Sequence, residues 1–295
     1  MKLLKRFLFL CLFFFSLPDV VPYALAQKHV VYKTIDSIVL SMDIYYPPKM
    51  VAGKTYPVII FFFGGGWIQG DKVQFEHHAK YFTERGMISV LADYRVQLRN
   101  NTTPFEALKD AKSAIRYLRS NAARFHIDQD RIVASGGSAG GHLAAAAACC
   151  EKYNDDQDDL TVSAKPNAMV LFNPVIDNGP GGYGFDRIGE EYRFFSPLHN
   201  LHRGMPPTIF FLGTNDLLIP VETARYYKML MEKIGSRCDL HVYEGQIHGF
   251  FNFKKLEYYK KTVLLADEFL VSIGYLSGHP AIDGESGNDT SNQKK

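Results

Sequence analysis

The sequence predicts an α/β fold, a mostly parallel sheet covered on both faces by helices. Three observations predict it. Short, largely apolar runs recur along the chain, as at residues 58–63 and 88–92, and a strand buried on both faces needs apolar side chains at nearly every position. Segments with helical spacing separate these runs, and strands alternating with helices build a parallel sheet. Between one such strand and helix lies Gly136-Gly137-Ser138-Ala139-Gly140. This G-x-S-x-G turn lifts a Ser hydroxyl to the top of a sheet.

The elements follow in order. Lys2, Lys5 and Arg6 precede an apolar run over residues 7–15, and Ala24-Leu25-Ala26 follows. A basic start, an apolar stretch and an A-x-A site make residues 1–26 a secretory signal peptide, cleaved after Ala26. The run is short for a bilayer span, and Pro18 and Pro22 follow it, which argues against an anchor. One domain is expected over 27–276. Residues 30–31 and 38–45 read as an antiparallel start, with Ile38, Leu40, Met42 and Ile44 at a period of two. Strands are predicted at 58–63 and 88–92, with a helix over 73–85 between them. Pro104 opens a helix in which Phe105, Leu108, Ala111, Ile115 and Leu118 share a face while Lys109 and Asp110 point outward. The strand at 131–135 leads into the Ser138 turn, and an Ala-rich helix spans 142–150. Strands at 168–172, 208–212 and 240–243 and helices at 221–234 and 256–273 complete the domain. Residues 277–295 are Gly-, Ser-, Asn- and Asp-rich and read as a disordered tail.

Removing 1–26 takes away three basic residues and Asp19, leaving 33 − 3 = 30 Lys+Arg against 31 − 1 = 30 Asp+Glu. A neutral chain without a basic stripe argues against nucleic acid or an anionic membrane as partner. Cys149, Cys150 and Cys238 remain, with no zinc spacing, and read as buried small apolar residues. In an oxidising compartment Cys238 with one of the pair is the only disulfide to test.

A Ser hydroxyl needs a general base, and that base needs an orienting group. Among the histidines, His248 alone sits in a glycine-flanked loop just after a late strand. His77 and His78 fall inside a helix, His142 follows the Ser turn and His279 is in the tail, so these read as solvated or structurally satisfied. Asp216, just past the 208–212 strand, is the candidate acid; Asp177 and Asp186 are rivals. Gly64-Gly65-Gly66-Trp67 follows the strand at 58–63. Its free N–H groups suit an oxyanion hole, completed by the N–H of Ala139. A phosphate loop is disfavoured because no Gly-Lys-Ser/Thr ending follows.

Together these residues resemble the α/β-hydrolase superfamily, and most closely its secreted acetyl-esterase branch beside the hormone-sensitive-lipase-like esterases, over roughly residues 38–273. The resemblance implies an eight-stranded, mostly parallel sheet without a large N-terminal cap. It implies a triad of Ser138, Asp216 and His248, oxyanion donors at Gly65, Gly66 and Ala139, no metal or organic cofactor, and a structural role for Asp93-Tyr94-Arg95. Phe63 stands where the family's loop usually carries His. The 173–201 insertion is expected to wall the pocket. Within it Tyr183, Phe185, Tyr192, Phe194 and Phe195, with Trp67, are candidates to grip substrate. The implied function is a secreted carboxylesterase acting on short-chain, acetyl esters of polysaccharides such as acetylated xylan. A serine peptidase of the same fold and a non-catalytic binding protein are the competing readings.

Overall fold

The structure, a computed structural model, describes residues 26–280; residues 1–25 of the expected export signal and the tail beyond Pro280 lie outside them. Every side chain of strand β3 (Tyr56–Phe62) is buried, yet successive residues serve different cores. Val58, Ile60 and Phe62 join one, Ile59 and Phe61 the other, as the alternation of Cβ atoms along a strand requires.

The strands are β1 (Ala26–Ile35), β2 (Ile38–Tyr46), β3, β4 (Ile88–Ala92), β5 (Ile127–Gly137), β6 (Ala168–Phe172), β7 (Thr208–Gly213) and β8 (Cys238–Tyr243). They form one eight-stranded sheet in the order β1-β2-β4-β3-β5-β6-β7-β8. Only the β1–β2 and β2–β4 pairs are antiparallel. Five longer helices cover it: α1 (Glu76–Glu84), α2 (Pro104–Ser120), α3 (Ala139–Cys149), α4 (Val221–Lys233) and α5 (Leu256–Ser272). Helices α2, α3 and α4 cover one face through Leu108, Ile115, Leu143, Tyr227 and Met231. The other face takes α1 and α5, through Ala79, Phe82, Val263 and Leu270. Among the described residues no helix is long and apolar enough to cross a membrane.

The predicted strands and helices are all present, with some differences. Strand β1 is ten residues long, not the short segment expected at 30–31. Lys28 and Lys33 interrupt its apolar pattern, and only pairing with β2 reveals it. Helix α3 starts directly after Ser138. Asp110 does not point outward but is fully buried. It accepts from Lys33 Nζ at 2.9 Å and from Arg95 Nε and Nη2 at 2.7 and 2.8 Å, so two cations compensate its burial. Helix α2 begins with a capping box, Thr103 and Glu106 satisfying each other's backbone N–H, and Pro104 at its first position. Cys149, Cys150 and Cys238 are free and buried.

Candidate active site

The parallel strands end on one edge, and the loops leaving that edge converge. Such a crevice outside the carboxyl ends of the strands is where open α/β sheets bind ligands. Ser138 follows β5, Asn173 follows β6, Asp216 lies three residues beyond β7 and His248 five beyond β8.

Ser138 has φ 55° and ψ −120°, a strained conformation for a residue with a Cβ. The turn is held by close backbone contact. A Cβ on Gly140 would lie 2.0 Å from the Phe62 carbonyl oxygen, and one on Gly136 2.5 Å from the same atom. Neither position can carry a side chain, which explains the glycines of the motif. His248 Nε2 lies 2.9 Å from Ser138 Oγ, and His248 Nδ1 lies 2.7 Å from Asp216 Oδ2. The other Asp216 oxygen accepts from the backbone N–H groups of Leu218 and Ile219 at 2.9 and 3.1 Å. The Asp216 side chain is wholly enclosed. The two acidic rivals stand elsewhere: Asp177 accepts from the Gly179 N–H, and Asp186 is exposed. A hydroxyl bonded to an imidazole, itself oriented by a buried carboxylate, can lose its proton as it attacks a carbonyl carbon.

The glycine loop lies against this turn. A Cβ on Gly64 would sit 3.4 Å from Ser138 Cβ. Gly65 and Gly66 have φ of 121° and 66°, backbone that favours glycine. Among the described residues no protein acceptor faces the N–H of Gly65, Gly66 or Ala139, so all three are available to a ligand. Phe63 stacks on Tyr94 with ring centroids 4.0 Å apart, and the Tyr94 hydroxyl donates to the Phe63 carbonyl at 2.6 Å. The residue in the usual His position is thus fixed by the Asp93-Tyr94-Arg95 segment.

The cleft, about 270 Å³, is lined by Gly64, Gly65, Gly66, Ser138, Asn173, Tyr183, Leu218, His248 and Phe251 together with Gln69, Gln74 and Asn252. Of the aromatic residues expected to grip substrate, the structure brings only Tyr183 to it; a Cβ on Gly66 would lie 2.7 Å from its hydroxyl. Trp67 and Phe195 are enclosed instead, at 1% and 0% exposure. Trp67 packs edge-on against His142 and Phe195, with centroids 5.0 and 5.9 Å away, so it anchors the glycine loop to α3. Phe185 lies beside Tyr192, 6.0 Å between centroids, away from the cleft. Tyr192 packs on His199, and Phe194 lies under Lys152. The insertion therefore walls the cleft through its first residue and Tyr183. The amides Asn173, Gln74 and Asn252 were missed in the sequence. Only Asn173 carried a signal, its place at the carboxyl end of a strand.

Two buried histidines lie beside the site. Burial pushes His78 down to about 3, with its neighbour His77 adding to the effect. Phe61, Phe75, Phe172, Phe251 and Tyr259 surround it, and neither ring nitrogen has a partner. It is enclosed, not hydrogen-bonded as expected. Burial also pushes His142 down to about 3, although its Nε2 contacts the Phe195 carbonyl at 3.0 Å.

Comparison with known proteins bears on the fold and the family. The BD-FAE family model matches residues 42–181, and a second model, described as alpha/beta hydrolase fold, matches 186–252. The structure of Thermogutta terrifontis esterase 2 phosphoramylated by tabun is 44% identical, with a TM-score of 0.82, over 85% of this chain and 96% of that one. The chain belongs to the α/β-hydrolase superfamily, on its esterase branch. Structures of the same esterase described as propionate bound and butyrate bound superpose on this α/β-hydrolase chain with TM-scores of 0.81 at 42% identity, over 85% of this chain and 96% and 95% of theirs. Esterase LipC of Mycobacterium tuberculosis is 30% identical over 68% of this chain and 55% of its own length. The probable isoprenylcysteine alpha-carbonyl methylesterase ICMEL1 of Arabidopsis thaliana is 26% identical over 70% and 48%. Endo-1,4-beta-xylanase B of Butyrivibrio fibrisolvens matches at 25% over 63% and 31%. This α/β-hydrolase chain spans about half the length of the first curated relatives.

Proposed function

We propose that the protein is an exported serine carboxylesterase that cleaves short-chain esters through an acyl-enzyme. The observation that carries the reading is the unbroken line from Ser138 Oγ to His248 at 2.9 Å and from His248 to the enclosed Asp216 at 2.7 Å. In this reading His248 takes the Ser138 proton as the oxygen attacks the ester carbonyl. The developing oxyanion accepts from the N–H groups of Gly65, Gly66 and Ala139. His248, now protonated, gives its proton to the leaving alcohol oxygen. It then draws a proton from water as the water attacks the acyl-enzyme, and returns that proton to Ser138 Oγ as the acyl carbon–oxygen bond breaks and the acid leaves. Asp216 keeps the proton on Nδ1 and stabilises the imidazolium.

A cleft of about 270 Å³ suits a small acyl group, in keeping with the propionate- and butyrate-bound structures of the T. terrifontis relative. We assign the acyl group as acetyl and the alcohol as a polysaccharide such as xylan. Support for the polymer comes from the export signal read in residues 1–26 and the match to part of a xylanase. The test compares 4-nitrophenyl acetate, butyrate and octanoate with acetate release from acetylated xylan, in wild type and Ser138→Ala. The variant is expected to lose on the order of 10³-fold or more in turnover. A Ser138→Ala protein with wild-type turnover ends the esterase reading. Activity on nitrophenyl esters without acetate release from the polymer ends only the xylan assignment. A folded wild type that neither turns over nor reacts with a fluorophosphonate points to the binding-protein reading.

A further inference from the structure

The oxyanion loop and the histidine loop leave different strands and come from opposite ends of the chain. Three neutral amide side chains bridge them. The Gly64 N–H donates to Gln74 Oε1 at 2.7 Å, and Gln74 Nε2 donates to Asn252 Oδ1 at 3.0 Å. Asn252 Nδ2 donates to the Gly249 carbonyl at 2.8 Å. The Gly249 N–H donates to Asn173 Oδ1 at 3.0 Å, and Asn173 Nδ2 lies 3.3 Å from His248 Nε2. Asn173 is fully buried and adopts φ 33°, a left-handed conformation that Asn tolerates better than most residues.

The direction of this chain is not free. An amide side chain taken alone can be turned end for end, but the backbone groups here have fixed polarity. The Gly64 N–H can only donate, so Gln74 must present its oxygen there and its nitrogen to Asn252. The Gly249 carbonyl can only accept, so Asn252 must present its nitrogen there and its oxygen to Gln74. The two requirements agree. At the other end the Gly249 N–H takes the Asn173 oxygen, which leaves the Asn173 nitrogen facing His248 Nε2. The Asp216 carboxylate can only accept, so the imidazole proton sits on Nδ1, and Nε2 faces Ser138 and Asn173 as an acceptor. This is the tautomer that can take a proton from Ser138.

We propose that Gln74 and Asn252 are positioning residues. With Asn173 and the backbone of Gly249 they form one directed hydrogen-bond chain that sets the oxyanion loop and the base at a fixed separation. The proposal rests on the esterase reading. Gln74 acts through Gly64 and Asn252 acts through Gly249. A tetrahedral intermediate must touch both loops at once, so a drift between them of a fraction of an ångström weakens the transition state more than ground-state binding.

The test uses the full chain with Gln74→Met, Asn252→Leu and the double variant, and Asn252→Ser in case the apolar change impairs folding. Ser cannot reach both Gln74 and Gly249. Turnover of 4-nitrophenyl butyrate is measured per active site, with sites counted by fluorophosphonate titration, alongside KM and melting temperature. Each single variant is expected to lose about tenfold in kcat per titrated site with KM within about twofold. The double variant should be no more than about twofold below the worse single one, because a chain already broken cannot be broken again. Unchanged kcat per site with only a lower melting temperature overturns the proposal, as do losses that multiply in the double variant. Wild type that turns over with dependence on Ser138 secures the esterase reading on its own, so failure of the chain is separate from failure of that reading. Wild type that does not label overturns both.

Discussion

Asp216 divides its carboxylate between two tasks. One oxygen meets His248 Nδ1, and the other is held by the N–H groups of Leu218 and Ile219. In Asp216→Asn the amide oxygen must stay with those two donors, so the amide nitrogen faces Nδ1. The imidazole would then carry its proton on Nε2 and could no longer accept from Ser138. We expect kcat to fall by about 10³–10⁴-fold with little change in melting temperature. Fluorophosphonate labelling should slow in parallel, and a variant that labels at the wild-type rate would remove Asp216 from the mechanism.

One buried carboxylate joins three elements. Asp110 in α2 binds Lys33 of β1 and Arg95 of the segment after β4, and Lys33 also binds Asp155 at 2.7 Å. Tyr94, beside Arg95, then holds the Phe63 carbonyl at the root of the glycine loop. Replacing a buried ion-pair network with apolar groups can be neutral, but removing one member leaves charge without compensation. Asp110→Ala is therefore expected to cost about 3–5 kcal/mol in urea unfolding, because both cations stay enclosed. A midpoint within error of wild type would mean that Lys33 and Arg95 escape to solvent when the carboxylate goes.

At the scale of the whole molecule, His78 and His142 couple folding to pH. Both are held near 3 by burial, well below the ordinary value near 6.5. Below pH 6.5 the unfolded chain therefore binds two protons that the folded chain excludes. Their contribution is complete above that pH and is lost as pH falls toward 3. Each proton contributes about 1.4 kcal/mol per pH unit, so stability should drop by roughly 2.7 kcal/mol per unit between pH 5 and 4 from this pair. Urea midpoints from pH 7 to 4 measure the slope. His78→Leu should remove about half of it, and an unchanged slope would place the acid sensitivity in the carboxylates.

Much of the fold was legible because its signals act over a few residues. Apolar runs, helical spacing and the G-x-S-x-G turn each report local geometry, and Ser138, Asp216 and His248 stood out by following predicted strands. The sequence by itself thus determined the alternation of elements, the Ser138 turn and the order of Ser138, Asp216 and His248, each past the end of a strand. Tertiary structure alone decided which aromatics face the cleft. Trp67 and Tyr183 look alike in the sequence, yet packing against His142 and Phe195 encloses one and leaves the other at the cleft. It also decided that Asp110 turns inward, since its partners lie 77 and 15 residues away. The link from Gln74 to Asn252 crosses 178 residues between two neutral side chains. Neither charge nor periodicity marks such a pair, because a hydrogen bond depends on where two loops meet in space.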